Sequence, residues 1–130
     1  EILEGIHDLE SGGDVFKLAL YKSTATINAA TTAYTATGEV SATGQYAAKG
    51  GTLQSQQTSL ATGGVAIVDF ADLSFTGVTL TARGALIYNS TEANKAICAL
   101  DFGADKTATS GTFTIQFPNF TSSSAILRIA

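Results

Sequence analysis

Residues 79–103 read TLTARGALIYNSTEANKAICALDFG. Two apolar runs flank a short polar interruption, Asn89–Asn94. Val78, Leu80, Leu86, Ile87 and Tyr88 stand on one side of it. Ala96, Ile97, Cys98, Leu100 and Phe102 stand on the other. Such a pattern reads as two strands joined by a loop. Charges are too few for an enzyme's working cleft, so the hairpin is expected to pack against a second sheet.

Outward from the hairpin, short strands recur. DVFKLALY (14–21) places Phe16, Leu18 and Leu20 on one face. Strands are expected at Thr52–Leu60, at Val65–Phe70 after a Gly63-Gly64 turn, and at Leu73–Phe75. Gly77 opens the strand Val78–Tyr88, with Gly84 as a bulge or close-packing point. Lys95–Phe102 follows, then a polar turn over Gly103–Gly111. Thr112–Phe117 alternates, with Phe113, Ile115 and Phe117 inward, and Pro118 ends it. Ser124–Ala130 closes as an apolar strand. This reading gives an all-β fold, a two-sheet sandwich of jelly-roll type, with Thr on the solvated faces.

The opening residues differ. Ile2, Leu3, Ile6 and Leu9 fall on one helical stripe, and Ser11-Gly12-Gly13 stops it. The expected organisation is an N-terminal helix or arm over 1–12 and one β-sandwich domain over 13–130. Residues 22–57 form a long Ala/Thr-rich excursion, extended or with a short helix around Thr31–Tyr34, anchored by Tyr34, Val40 and Tyr46.

Composition narrows the function. Of 130 residues, 45% are hydrophobic and only 14% charged, with a net charge of −4. That balance argues against a basic nucleic-acid face and against docking on an anionic membrane. No apolar run approaches the ~18 residues of a spanning helix. No basic start leads into a long apolar run of the secretory kind, and a beginning at Glu1 rather than Met leads us to expect residues upstream. The lone Cys98 reads as a buried hydrophobe, so no internal disulfide is expected.

No catalytic set persuades. His7 is the only histidine, and neither a nucleophile–base pair nor a zinc ligand set is evident, so no enzyme, metal or cofactor is expected. Asp69/Asp72 and Asp101/Asp105 flank turns, which Asp favours in any case. Tyr21, Tyr34, Tyr46 and Tyr88 could build a sugar-stacking platform, but core and rim packing is the favoured reading, and no tryptophan joins them. Two sequons, Asn89-Ser90-Thr91 and Asn119-Phe120-Thr121, are of the kind that arises by chance in such a composition.

Three segments, HDLESGGDVFKLALY (7–21), TARGALIYN (81–89) and GTFTIQFP (111–118), resemble small structural proteins of tailed bacteriophages. Similarity of the same kind extends over 14–44, 82–118 and SAILRIA (124–130). The resemblance rests on packing motifs. It implies a virion component assembled in the host cytoplasm, with a capsid decoration (cement) protein as the expected role. Its implied partners are the major capsid protein and further copies of itself, as dimer or trimer. Ile2, Leu3, Ile6 and Leu9 are then expected as an association stripe, with Tyr34 and Tyr46 as exposed contacts. The alternative is that the stripe closes the mouth of its own sandwich. The alternative function is a tail- or fibre-associated module binding a host surface glycan through its tyrosines.

Overall fold

A computed structural model describes residues 5–61, 63–118 and 127–129. The described residues form seven strands: β1 (Phe16–Tyr21), β2 (Gly51–Thr52), β3 (Gln57–Ala61), β4 (Val65–Asp69), β5 (Leu73–Asn89), β6 (Lys95–Ile115) and β7 (Leu127–Ile129). They build a four-stranded sheet in the order β2-β1-β5-β6 and a three-stranded sheet in the order β3-β4-β7, with antiparallel pairing throughout. The all-β, two-sheet expectation is met. The double Greek key of a jelly roll is not established by these strands: β1–β2, β3–β4 and β5–β6 are neighbours consecutive in the chain, while β1–β5 and β4–β7 are crossovers.

The opening hairpin is longer than its apolar runs. Leu73–Phe75 and Val78–Tyr88 merge into β5, and the stretch Gly103–Gly111, expected as a turn, is strand within β6. Its polarity reflects exposure: Gly103–Thr107 are all exposed, while Thr81 faces Thr107 and Ala82 faces Lys106 across the ladder. Thr81 and Thr107 hydroxyls lie 2.9 Å apart, and Ser74 and Thr114 hydroxyls 2.8 Å. Such cross-strand hydroxyl pairs support a sheet face that meets water.

Bulges then bend the ribbon. Ala82 faces Lys106 and Gly84 faces Asp101, so four residues, Phe102–Asp105, stand opposite the single Arg83. Gly103 (φ 78°) and Ser110 (φ 46°) supply left-handed backbone on β6, and Gly77 (φ 63°) on β5. In a straight strand eleven residues would separate two side chains by ~36 Å. Here the rings of Phe102 and Phe113 lie 6.3 Å apart. The ribbon curls round and lines the core from two sides.

That core joins Phe16, Leu18 and Leu20 of β1, Val68 of β4, Phe75, Val78, Leu80 and Ile87 of β5, and Phe113 and Ile115 of β6. Phe70 packs at 5.8 Å from Phe16 and 5.9 Å from Phe117, tying the second sheet's end to the first. The opposite face of β1 and β5 is buried too. Ala19, Tyr21, Leu86 and Tyr88 form a second cluster, covered by Ala25, Ile27 and Tyr34. The excursion is therefore a cover on the sheet's outer face, and residues 31–34 are extended, with Ala33 bridging Lys95. It also explains why Gly84–Asn89 are buried without alternation.

The N-terminal helix is absent among the described residues. Residues 5–10 are turns and bends, with Gly5 at φ 69°. Ten residues make a marginal helix, and here side chains capture the backbone instead. Asp14 Oδ2 accepts from Asp8 N (2.9 Å), Asp8 Oδ1 accepts from Glu10 N (3.1 Å), and Asp14 N donates to the Asp8 carbonyl (3.0 Å). Ile2 and Leu3 lie outside the described residues.

Candidate functional site

Two polar nodes hold the chain together, and they gather most of the residues singled out above. The first centres on Glu39. Gly38 (φ 80°) turns the chain so that Glu39 bridges Tyr21 and the Val40 amide donates to the Leu20 carbonyl at 2.9 Å. The Glu39 carboxylate then accepts three hydrogen bonds: Tyr34 Oη at 2.6 Å, Tyr46 Oη at 2.9 Å and the Lys49 amide at 2.7 Å. Tyr46 Oη in turn accepts from Leu20 N at 2.8 Å. Tyr21 Oη donates to the Thr35 carbonyl and Tyr88 Oη to the Lys49 carbonyl, each at 2.6 Å. Tyr34 and Tyr88 rings lie 5.0 Å apart, and Tyr46 meets Phe75 edge-on at the same distance.

Every tyrosine hydroxyl is thus engaged within the chain, and burial drives all four phenols above their ordinary range. Tyr88 is pushed up to about 12, by burial first and by the charges of Glu39 and Tyr21 after it. Tyr21, Tyr34 and Tyr46 are raised, burial again being the largest cause. In Tyr34 and Tyr46 the hydrogen bond to Glu39 adds to the rise, because donating to a carboxylate favours the protonated phenol.

The expectation that Tyr34 and Tyr46 are exposed contacts is corrected. Tyr46 is 1% exposed and belongs to the core. Tyr34 is half-buried over Tyr88. A buried phenol hydroxyl needs a partner, and Glu39, a partner both share, pulls the rings inward. The signal was legible only in part: a carboxylate five residues from one tyrosine and seven from another, in a stretch otherwise free of acids.

The second node ties the N-terminal segment to the end of β5. Asn89, fully buried, donates through Nδ2 to Asp14 Oδ2 (2.7 Å) and lies 2.9 Å from His7 Nδ1. An amide nitrogen only donates, so His7 Nδ1 accepts. Asn89 Oδ1 accepts from the amides of Thr91 (3.0 Å) and Glu92 (3.1 Å), which shapes the β5–β6 turn. The first sequon's asparagine is therefore fully engaged in the interior. Asn119 of the second lies outside the described residues. Leu9 packs against the core of its own chain, and Ile6 is half-buried.

One acid of each pair serves the backbone. Asp72 Oδ1 accepts from the Phe117 amide at 2.8 Å. Asp101 Oδ1 accepts from the Gly103 amide at 2.8 Å and from Arg83 Nε at 3.3 Å. These two contacts, the amide first, lower the carboxyl below its usual range. Among the described residues no three His, Cys, Asp or Glu side chains stand together as a metal could use them. Cys98 is partly buried against the core, and burial raises its thiol to about 11. At neutral pH it is a thiol, which is a poor nucleophile and a poor metal ligand. No helix is long and apolar enough to cross a membrane among the described residues.

What this arrangement does chemically is fasten. The nodes close the excursion and the N-terminal segment onto one sheet. No protein family, curated protein or solved structure matches this chain.

Proposed function

We propose that the chain is a bacteriophage virion structural protein, a capsid decoration protein that binds the lattice of the major capsid protein. The observation that supports this most is where its polar and aromatic groups are used. Glu39, Asn89 and the tyrosine hydroxyls are all committed to internal hydrogen bonds. What remains outside includes a ribbon whose β6 face is exposed from Gly103 to Thr107, with Asp105 beside Lys106, in a chain only 14% charged. A β-fold with little charge and its polar groups bonded internally suits repeated attachment at equivalent sites, where many weak contacts add through avidity. The phage assignment itself rests on the resemblance of residues 7–21, 81–89 and 111–118.

The glycan-binding alternative loses the residues on which it stood. Tyr46 is interior, and the Tyr34 ring lies on Tyr88 with its hydroxyl on Glu39. Location tests the proposal. In particles of the phage that encodes this sequence, the chain should be found in the head fraction by mass spectrometry. The purified chain should also bind empty heads saturably. A chain found only in tails, or one that fails to bind heads, overturns the reading.

A further inference from the structure

Strand β3 is the outer strand of the three-stranded sheet, and among the described residues only β4 pairs with it. It lacks the devices that normally blunt an edge, namely charges, proline and bulges. From Gly50 to Val68 the sequence has no Lys, Arg, His, Asp or Glu. Its register with β4 runs unbroken from Gln57↔Asp69 to Ala61↔Val65. The other sheet contrasts. Its outer strand β6 carries Asp101, Asp105 and Lys106 and several bulges, and its opposite edge, β2, is two residues long.

Among the described residues Leu60 on β3 is 73% exposed, far above Val15 at 45%, the next large hydrophobic. It lies opposite Ala66, while Thr58 lies opposite Val68, which packs in the core. Facing residues of an antiparallel pair share a side of the sheet. The apolar row that starts in the core on Val68 therefore runs off the sheet edge at Leu60.

We propose that β3 pairs with β3 of a second copy, antiparallel about a two-fold axis at Ser59, so that one sheet runs through both molecules. In that register Thr58 faces Leu60 of the other copy, and the two Leu60 side chains become diagonal neighbours on one face. A second copy is the occupant the chemistry favours. The strand is neutral, so self-pairing brings no like charges together, and a symmetric pairing supplies an apolar mate for Leu60 from Leu60 itself. Glu10, whose carbonyl accepts from Gln56 Nε2 at 2.6 Å, sits at one end of β3. The two-fold sets the two Glu10 residues at opposite ends of the paired strands. Five residues per copy bury less than the ~1,000 Å² of a stable interface, so the dimer is weak and concentration-dependent. The proposal does not depend on the decoration reading.

Ser59→Cys in a Cys98→Ala background tests it. A residue on the two-fold faces its own copy at ~4.5–5.5 Å between Cα atoms, within disulfide reach. Mild oxidation should yield a covalent dimer at least tenfold faster than for Ser41→Cys, an exposed control on another surface. Leu60→Lys should weaken association at least tenfold in sedimentation velocity while leaving the circular dichroism spectrum and melting of the monomer unchanged. Cross-linking no faster than the control overturns the proposal. So does association that Leu60→Lys leaves intact, or a parent chain that stays monomeric at millimolar concentration.

Discussion

At the scale of single residues, Glu39 decides the most. One carboxylate collects two phenols and a backbone amide, and it does so where Tyr46 is closed off from water. Removing the Tyr46 hydroxyl takes one donor from the carboxylate and leaves the buried Leu20 amide without its acceptor. Tyr46→Phe should therefore lower unfolding free energy by about 1–3 kcal/mol, read as a lower urea midpoint at unchanged slope. A midpoint equal to that of the parent would show that this node carries no net stability. Asn89 belongs at the same scale. A sequon reading treats it as a surface acceptor, yet its side chain is spent on Asp14, His7 and the turn amides. Sequence gives the residue type, and burial decides what the amide does.

At the scale of elements, the pattern of apolar residues was informative wherever one face met the core. The alternation in Phe16, Leu18 and Leu20, and again in Phe113 and Ile115, was legible because a strand's period is two, and those residues are buried as expected. It failed where tertiary context replaced periodicity. Gly103–Gly111 looks like a turn because an exposed stretch of a bent ribbon has no reason to be apolar. The N-terminal stripe looks helical because Ile6 and Leu9 have the right spacing, whereas the Asp8–Asp14 contacts hold the backbone otherwise. Close approach is equally invisible to pattern. Gly50 has φ 73°, and a Cβ there would collide with the Leu18 carbonyl across the β1–β2 turn-in. Gly50→Ala should cost about 2 kcal/mol or more, from a left-handed backbone and from displaced main chain together. Chemical denaturation would measure it. Gly63→Ala also meets a positive φ but open space, so it isolates the backbone part of the cost.

Across the whole molecule the buried phenols couple stability to pH. Their protonated form is favoured in the folded chain, with Tyr88 raised from 10.0 to about 12 and Tyr21, Tyr34 and Tyr46 raised as well. Above pH ~10 the unfolded chain releases these protons while the folded chain retains them, so the unfolded state binds fewer. Stability is then fully present below pH ~10 and falls as pH rises toward 12. Urea midpoints taken from pH 8 to 12 should decline over that upper window. Tyr46→Phe, with one raised phenol fewer, should decline less steeply. A flat profile would mean that the phenols ionise without unfolding. The same clusters explain why 130 residues with no disulfide can close up: the excursion that composition marks as weakly apolar gives the sheet a second buried face.

The sequence by itself determined the class of this protein. Period-two apolar runs, Gly-marked turns and a scarcity of charge are local properties, and they suffice for an all-β chain with two antiparallel sheets. Only the tertiary structure decided that the excursion covers the outer face of β1 and β5, that β6 bends back toward itself, and that Glu39 and Asn89 are fasteners. Each of those depends on which residues far apart in the chain become neighbours, and neighbourhood is set by the bulges and the closing of the core rather than by any window of sequence.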